Sequence, residues 1–163
     1  MTRKTVRDSQ VVTTQLVLPN DTNQLGNLLG GTLMHWMDIV AAICAQRHSG
    51  RVCVTASVDE LTFHYSIGLG ETVTLQASVN RTFRTSMEVG VLVTAQERGS
   101  ASPRRANTAY FTFVALDDTK RPVPVPPVVP ETAAEKRRYE EAHARREKRL
   151  GRRSGLKERG GGA

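Results

Sequence analysis

Residues 30–48, GGTLMHWMDIVAAICAQRH, constrain the fold more than any other stretch of the chain. At about 100° per residue, Leu33, Trp36, Met37, Val40, Ala41 and Cys44 fall on one stripe, the pattern of a helix that faces a core. The opposite side holds Met34, Ile39, Ala42, Ile43 and Ala45, leaving a narrow polar strip of His35, Asp38 and Gln46. Such a helix is expected to be wrapped by protein rather than laid on a surface. Asp38 then needs a reason: an ionised carboxylate inside protein is costly unless it caps a segment, meets an arginine or takes part in chemistry.

The rest of the chain supplies a sheet for this helix. Gln10 to Leu18 is rich in β-branched residues and reads as a first strand, stopped by Pro19. PNDTNQLGNLLGG then makes a loop that leads straight into the helix. His48-Ser49-Gly50 supplies the helix stop, with Arg47 and His48 placed to meet the negative end of its dipole. Four segments of strand character follow: Val52 to Phe63, Glu71 to Thr82, Thr85 to Arg98 and Arg105 to Leu116. In the last three, Val73-Leu75-Ala77-Val79, Met87-Val89-Val91-Val93-Ala95 and Ala109-Phe111-Phe113-Ala115 alternate with more polar residues, which predicts one sheet with one buried face. The connections are short, as between antiparallel neighbours, so the class is α+β: an antiparallel sheet curled around one central helix.

The ends differ in character. Residues 1–9 are polar, and from Asp117 the segment DDTKRPVPVPPVVPE favours an extended chain over further sheet, so the domain is placed at 10–130. Residues 131–150 form a basic helix with almost no apolar face, solvated or docked on another subunit through Tyr139, Ala142 and Leu150; residues 151–163 read as disordered. Residues 1–130 carry a net charge of +2 and residues 131–163 a net charge of +5, so the basicity belongs largely to the tail. A nearly neutral core argues against specific nucleic-acid binding. No signal-peptide h-region or bilayer-length apolar run is present, and a cytoplasmic protein is expected. Cys44 and Cys53 lack metal-ligand spacing and read as small buried hydrophobes.

The chain has no P-loop, no G-x-G-x-x-G after a strand, no G-x-S-x-G and no histidine pair at metal-ligand spacing. There remain Asn23 in the loop, Gly30 and Gly31 at the helix start, and Asp38 within it. Glycine amides at a helix N-terminus can point at a carbonyl oxygen or a phosphate. Asp38 can act on water as general base or attack as nucleophile, while Asn23 donates to a carbonyl or orients the water. Acyl transfer to water fits this set. Asp38 lies about two turns beyond Gly31, roughly 10 Å along the axis, so two copies packed side by side would join the parts more readily than one.

The runs PNDTNQLGNLLGG, TLMHWMDIVAAICAQRH, VTASVDELTFHYSIGLGETVTL and RTSMEVGVLV resemble the hotdog-fold acyl-CoA thioester hydrolases, including the brain-type enzymes, over most of residues 10–150. The combination T-N-x-x-G-N-x-x-G-G, an acidic residue seven beyond the second glycine, and R-T-S-M-E-V carries the likeness. The resemblance implies a hotdog domain that hydrolyses fatty acyl-CoA to free acid and coenzyme A. It implies Asp38 and Asn23 meeting across a dimer interface, and homohexamers built as trimers of dimers. No cofactor and no metal are implied, coenzyme A being part of the substrate. Arg84, Thr85 and Ser86 match a coenzyme A-binding stretch, where an arginine can pair with phosphate; as residues alone they read equally as a strand start with a solvated arginine. Two other readings stand beside hydrolysis. A hotdog hydratase pairs the helix Asp with a His five positions on, where this chain has Ile43, and a non-catalytic acyl-CoA or nucleotide sensor would use the same pocket only to bind.

Overall fold

Apolar alternation on the strands and the apolar stripe of the helix meet in one core. The computed structural model describes residues 2–59 and 61–160, with side chains as far as Arg152. Its strands are β1 (Lys4–Thr5), β2 (Val11–Leu16), β3 (Val52–Asp59), β4 (Thr72–Thr82), β5 (Ser86–Gln96), β6 (Arg104–Leu116) and β7 (Val128–Val129). Five of them form an antiparallel sheet in the order β2-β4-β5-β6-β3, with β2 and β3 at the edges. The three alternating apolar rows of β4, β5 and β6 all lie on one face and are buried. Helix α1 (Gly30–Ser49) lies on that face and touches all five strands. Its Leu33, Met37, Val40, Ala41, Cys44 and Ala45 are buried against them. Each fully buried Leu, Met or Val side chain contributes about 1.5–3 kcal/mol. This is the α+β hotdog architecture expected from the sequence.

The helix ends at Gly50, whose φ of 67° suits glycine and whose amide donates to Gln46 O at 2.8 Å. The last carbonyls take a cation from elsewhere: Lys4 Nζ donates to Arg47 O at 2.9 Å and His48 O at 2.8 Å. His48 itself is fully buried and does not play the dipole role expected of it. Its Nε2 donates to Pro126 O at 2.9 Å and its Nδ1 accepts from Ser9 Oγ at 3.1 Å, while burial lowers its pKa and favours the neutral ring. The ring thus joins both ends of the domain, beside a two-residue parallel pairing of β1 with β7. Residues 4–9 are accordingly part of the fold, with Val6 and Ser9 buried. The proline segment is held likewise, through buried Val125 and Val128.

A lowered folded-state pKa means that the unfolded chain takes up the His48 proton first. The stability carried by this clip is fully present above the ordinary histidine value of 6.5 and is lost as pH falls through the lowered folded value. The thermal midpoint is expected to drop between pH 7 and pH 5, and to drop less in His48→Gln, where nothing titrates; equal slopes in calorimetry would remove His48 from the acid response.

Helix α2 (Ala133–Gly160) runs ten residues past the 150 boundary expected for the basic helix, into the stretch read as disordered; residues 161–163 lie outside the described residues. It docks on its own sheet, on the face opposite α1, with Ala142 fully buried. Arginine planes make the contact. Arg81 lies over the Tyr139 ring at 4.1 Å, Arg145 over Tyr110 at 3.6 Å and Arg146 over Phe83 at 4.1 Å. Arg145 also donates to both carboxylate oxygens of Glu88, at 3.0 Å and 2.7 Å. Hydropathy counts these side chains as polar, which is why the packing face was not visible as an apolar stripe.

Candidate active site

Asp38 sits two turns into α1 and is half-buried. Thr55 Oγ1, on β3, donates to its Oδ1 at 2.7 Å. Among the described residues no Lys, Arg or His forms an ion pair with it, so neither an arginine partner nor a capping role accounts for it. The wrapping expected for the helix is also incomplete within one protomer. Met34, Ile39 and Ile43 are 38–45% exposed, and Val52, Val54 and Val58 of the edge strand β3 are 38–67% exposed. A carboxylate is therefore presented among apolar side chains that the described residues leave partly exposed.

The loop before α1 is built around Asn23. Its Oδ1 accepts from Leu25 N at 2.9 Å and Asn27 N at 3.2 Å, and its backbone amide donates to Asn27 O at 2.8 Å. With the oxygen so engaged, Nδ2 donates to none of the described residues. Leu28 N to Ile67 O at 2.7 Å and Leu69 N to Gly26 O at 2.9 Å sew the loop to the segment before β4. Asn23 and Gly30 line one cleft of about 330 Å³ with Leu33, Phe63, Tyr65 and Ile67. No side chain caps α1, and the first amide of its own ladder is Leu33 N, to Leu29 O at 3.0 Å. The amides of Gly30 and Gly31 are thus left for an incoming acceptor. At Gly31 a Cβ would meet nothing within 4 Å, so the approach is open.

The cleft wall at 61–66 is fixed at both ends. Arg149 NH1 donates to Asp59 Oδ2 at 2.7 Å on one side, and Arg104 NH2 donates to Ser66 O at 3.0 Å on the other. Within one protomer the structure brings Asn23 and Gly30 together and leaves Asp38 outside their cleft. Arg84, Thr85 and Ser86 are elsewhere too. Arg84 is exposed, while Ser86 is buried and its Oγ accepts from Arg146 NH1 of α2 at 3.3 Å. Both cysteines are reduced and buried, and burial pushes the Cys44 thiol up to about 12, so neither is poised as a nucleophile.

Thr55 was missed in the sequence although a signal for it existed. From Asp38 to the helix end is about 16 Å at 1.5 Å per residue, and a strand returning alongside covers that in about five residues. Counting from Val52, this lands within two residues of Thr55.

Comparison with known proteins gives this geometry its context. The family model described as Thioesterase superfamily matches residues 25–102. The Bacillus subtilis protein YkhA, named an uncharacterized acyl-CoA thioester hydrolase, is 44% identical over 129 residues, covering 79% of this chain and 75% of its own length. The chain belongs to the acyl-CoA thioester hydrolase family. Mouse acyl-coenzyme A thioesterase 11 is 40% identical over 87% of this chain, which spans only 24% of that protein. The rat cytosolic acyl coenzyme A thioester hydrolase is 43% identical over 86% of this chain, which spans 38% of that protein. Among solved structures, the Staphylococcus aureus acyl-CoA hydrolase, determined with butyryl coenzyme A, coenzyme A and coenzyme A disulfide, has a TM-score of 0.90 at 38% identity and covers 96% of each chain. It has also been solved as alanine variants of one aspartate, one asparagine and one threonine. A hexameric acyl-CoA thioesterase superposes with a TM-score of 0.90 at 39% identity, covering 93% of this chain and 97% of its own.

Proposed function

We propose that this chain hydrolyses fatty acyl-CoA thioesters to free acid and coenzyme A, in a site that joins Asp38 of one protomer to Asn23 and Gly31 of its neighbour. The observation that carries this reading is the separation just described: the Thr55-held carboxylate lies among partly exposed apolar side chains, apart from the cleft lined by Asn23 and Gly30. A second copy packed on that face covers Met34, Ile39 and Ile43 and brings its own loop to Asp38. The altered asparagine, aspartate and threonine of the S. aureus enzyme are 15 and 17 residues apart, the spacing of Asn23, Asp38 and Thr55 here. Hexameric relatives support assembly of such dimers into trimers of dimers.

Thr55 fixes Oδ1 of Asp38, so Oδ2 faces the reaction. That oxygen either takes a proton from water as the water attacks the thioester carbon, or attacks the carbon itself to give a mixed anhydride that water then opens to the free acid. Asn23 Nδ2 and the amides at Gly30 and Gly31 receive the charge that develops on the carbonyl oxygen. The thiolate of coenzyme A leaves, and no cofactor enters the balance. Exposed Arg84 serves the phosphates of coenzyme A. Ser86, engaged with Arg146, and neighbouring Thr85 serve that site through the backbone turn that carries Arg84.

Mixing two inactive variants tests the shared site. Asp38→Asn and Asn23→Ala are each expected to release almost no thiol from acyl-CoA. After subunit exchange, random pairing leaves half the dimers mixed, each with one intact site, so about a quarter of the native turnover should return. Proven exchange with no recovery would show that each chain uses its own Asp38 and Asn23. Coenzyme A binding without thiol release by the native chain, at any acyl length, would favour a sensor.

A further inference from the structure

Beside the cleft of Asn23 lies a second one of about 400 Å³, and the two share His64 and Tyr65. It opens because β3 ends at Asp59, opposite Tyr110, so the first residues of β6 have no strand on that side. Asn107 continues the inward row of Ala109, Phe111 and Phe113, a polar residue where the pattern calls for an apolar one, and it is 2% exposed. Its Oδ1 accepts from Thr108 N at 2.6 Å, which fixes the orientation of the amide. Asn107 is one of the residues around this cleft, and its fully buried Nδ2 has no hydrogen-bond partner among the described residues. A buried donor left without a partner is costly, so a ligand that supplies an acceptor gains from it. Arg105, exposed on the same cleft, spends one N–H on Thr108 Oγ1 at 2.9 Å and has others to offer. Arg105, Asn107 and Thr108 form the polar part of its wall, and His64 and Tyr65 join it to the cleft of Asn23.

We propose that this second cleft is a polar subsite for the thioester, in which Asn107 Nδ2 and the Arg105 guanidinium bind an acceptor oxygen of the ligand, with the exposed His64 and Tyr65 shifting to admit it. The inference rests on the hydrolase reading above. Acceptor oxygens occur on two parts of an acyl-CoA: the amide carbonyls and phosphates of the thiol arm, and any oxo or carboxylate group on the acyl chain.

Asn107→Asp keeps the acceptor for Thr108 N and replaces the donor by oxygen; Arg105→Ala alters an exposed side chain and leaves the fold intact. Calorimetry with coenzyme A is combined with turnover of three thioesters: a plain acyl-CoA, the same acyl group on N-acetylcysteamine, and an ω-carboxyacyl-CoA. A rise of about tenfold in Kd for coenzyme A and in KM for acyl-CoA, with kcat within about twofold and the N-acetylcysteamine thioester unaffected, places the thiol arm in the subsite. A rise in KM confined to the ω-carboxyacyl substrate places the acyl end there. Unchanged Kd and KM for every ligand, in both folded variants, overturns the proposal. Should the native chain bind coenzyme A yet hydrolyse nothing, the hydrolase reading fails while the calorimetric comparison still decides the subsite; absence of both binding and turnover overturns the two together.

Discussion

Asp38→Asn is expected to lower kcat for acyl-CoA by about 10²- to 10⁴-fold, the span of a lost general base. The fold should not change, because the new amide carbonyl accepts the same hydrogen bond from Thr55 Oγ1 that now measures 2.7 Å. An unaltered melting temperature with lost turnover would therefore be a chemical effect and not a structural one. Thr55→Val is the informative companion. It leaves the carboxylate in place but releases its orientation, and a loss of about tenfold in kcat, smaller than that of Asp38→Asn, marks a positioning residue. Asp38→Asn retaining more than a tenth of native turnover would move the chemistry to another group.

Arg145→Met should produce the largest loss of stability of any single change on α2. Glu88 is 2% exposed on its side chain and Arg145 10%, and their two hydrogen bonds satisfy charges that water does not reach. Removing the guanidinium strands a buried carboxylate, at a cost of about 3–5 kcal/mol. For a chain of this size that corresponds to a fall of roughly 10 °C in Tm. Methionine fills part of the volume but has no guanidinium to lay over Tyr110, so the loss sums the stranded carboxylate and the lost stacking. The double variant Glu88→Leu with Arg145→Met should recover most of the loss, since an apolar pair of similar size replaces the ion pair at little cost. A single variant within 1 kcal/mol of native by chemical unfolding would mean that α2 is held chiefly by its other contacts.

The helix and the central strands were legible because their burial follows period: 3.6 along α1 and two along β4, β5 and β6. The antiparallel α+β class followed from those periods and from short connections. What escaped was whatever depends on atoms far apart in sequence. Thr55 meets Asp38 only because β3 returns beside α1, and His48 joins Ser9 to Pro126 across 39 and 78 residues. The docking of α2 escaped because arginine planes on aromatic rings carry no hydropathy signal. The R-T-S-M-E-V stretch shows how a motif can hold two messages. The family resemblance implied a phosphate contact there, and the residues alone read equally as a strand start with a solvated arginine; β5 does start at Ser86, and Ser86 and Glu88 meet Arg146 and Arg145 of α2.

The β1–β7 pairing and the His48 clip make the two ends of the hotdog domain one place. Topologically the stretch from Lys4 to Val129 is a ring with a non-covalent clasp, and α2 leaves from the clasp as an arm folded back over the sheet. A linear domain can fray from either end independently, but a ring opens at its clasp or not at all. The clasp also holds the end of α1, through Lys4 on the carbonyls of Arg47 and His48. The helix that carries Asp38 is thus moored at the point where the ring closes, so opening the clasp would loosen the carboxylate's own support.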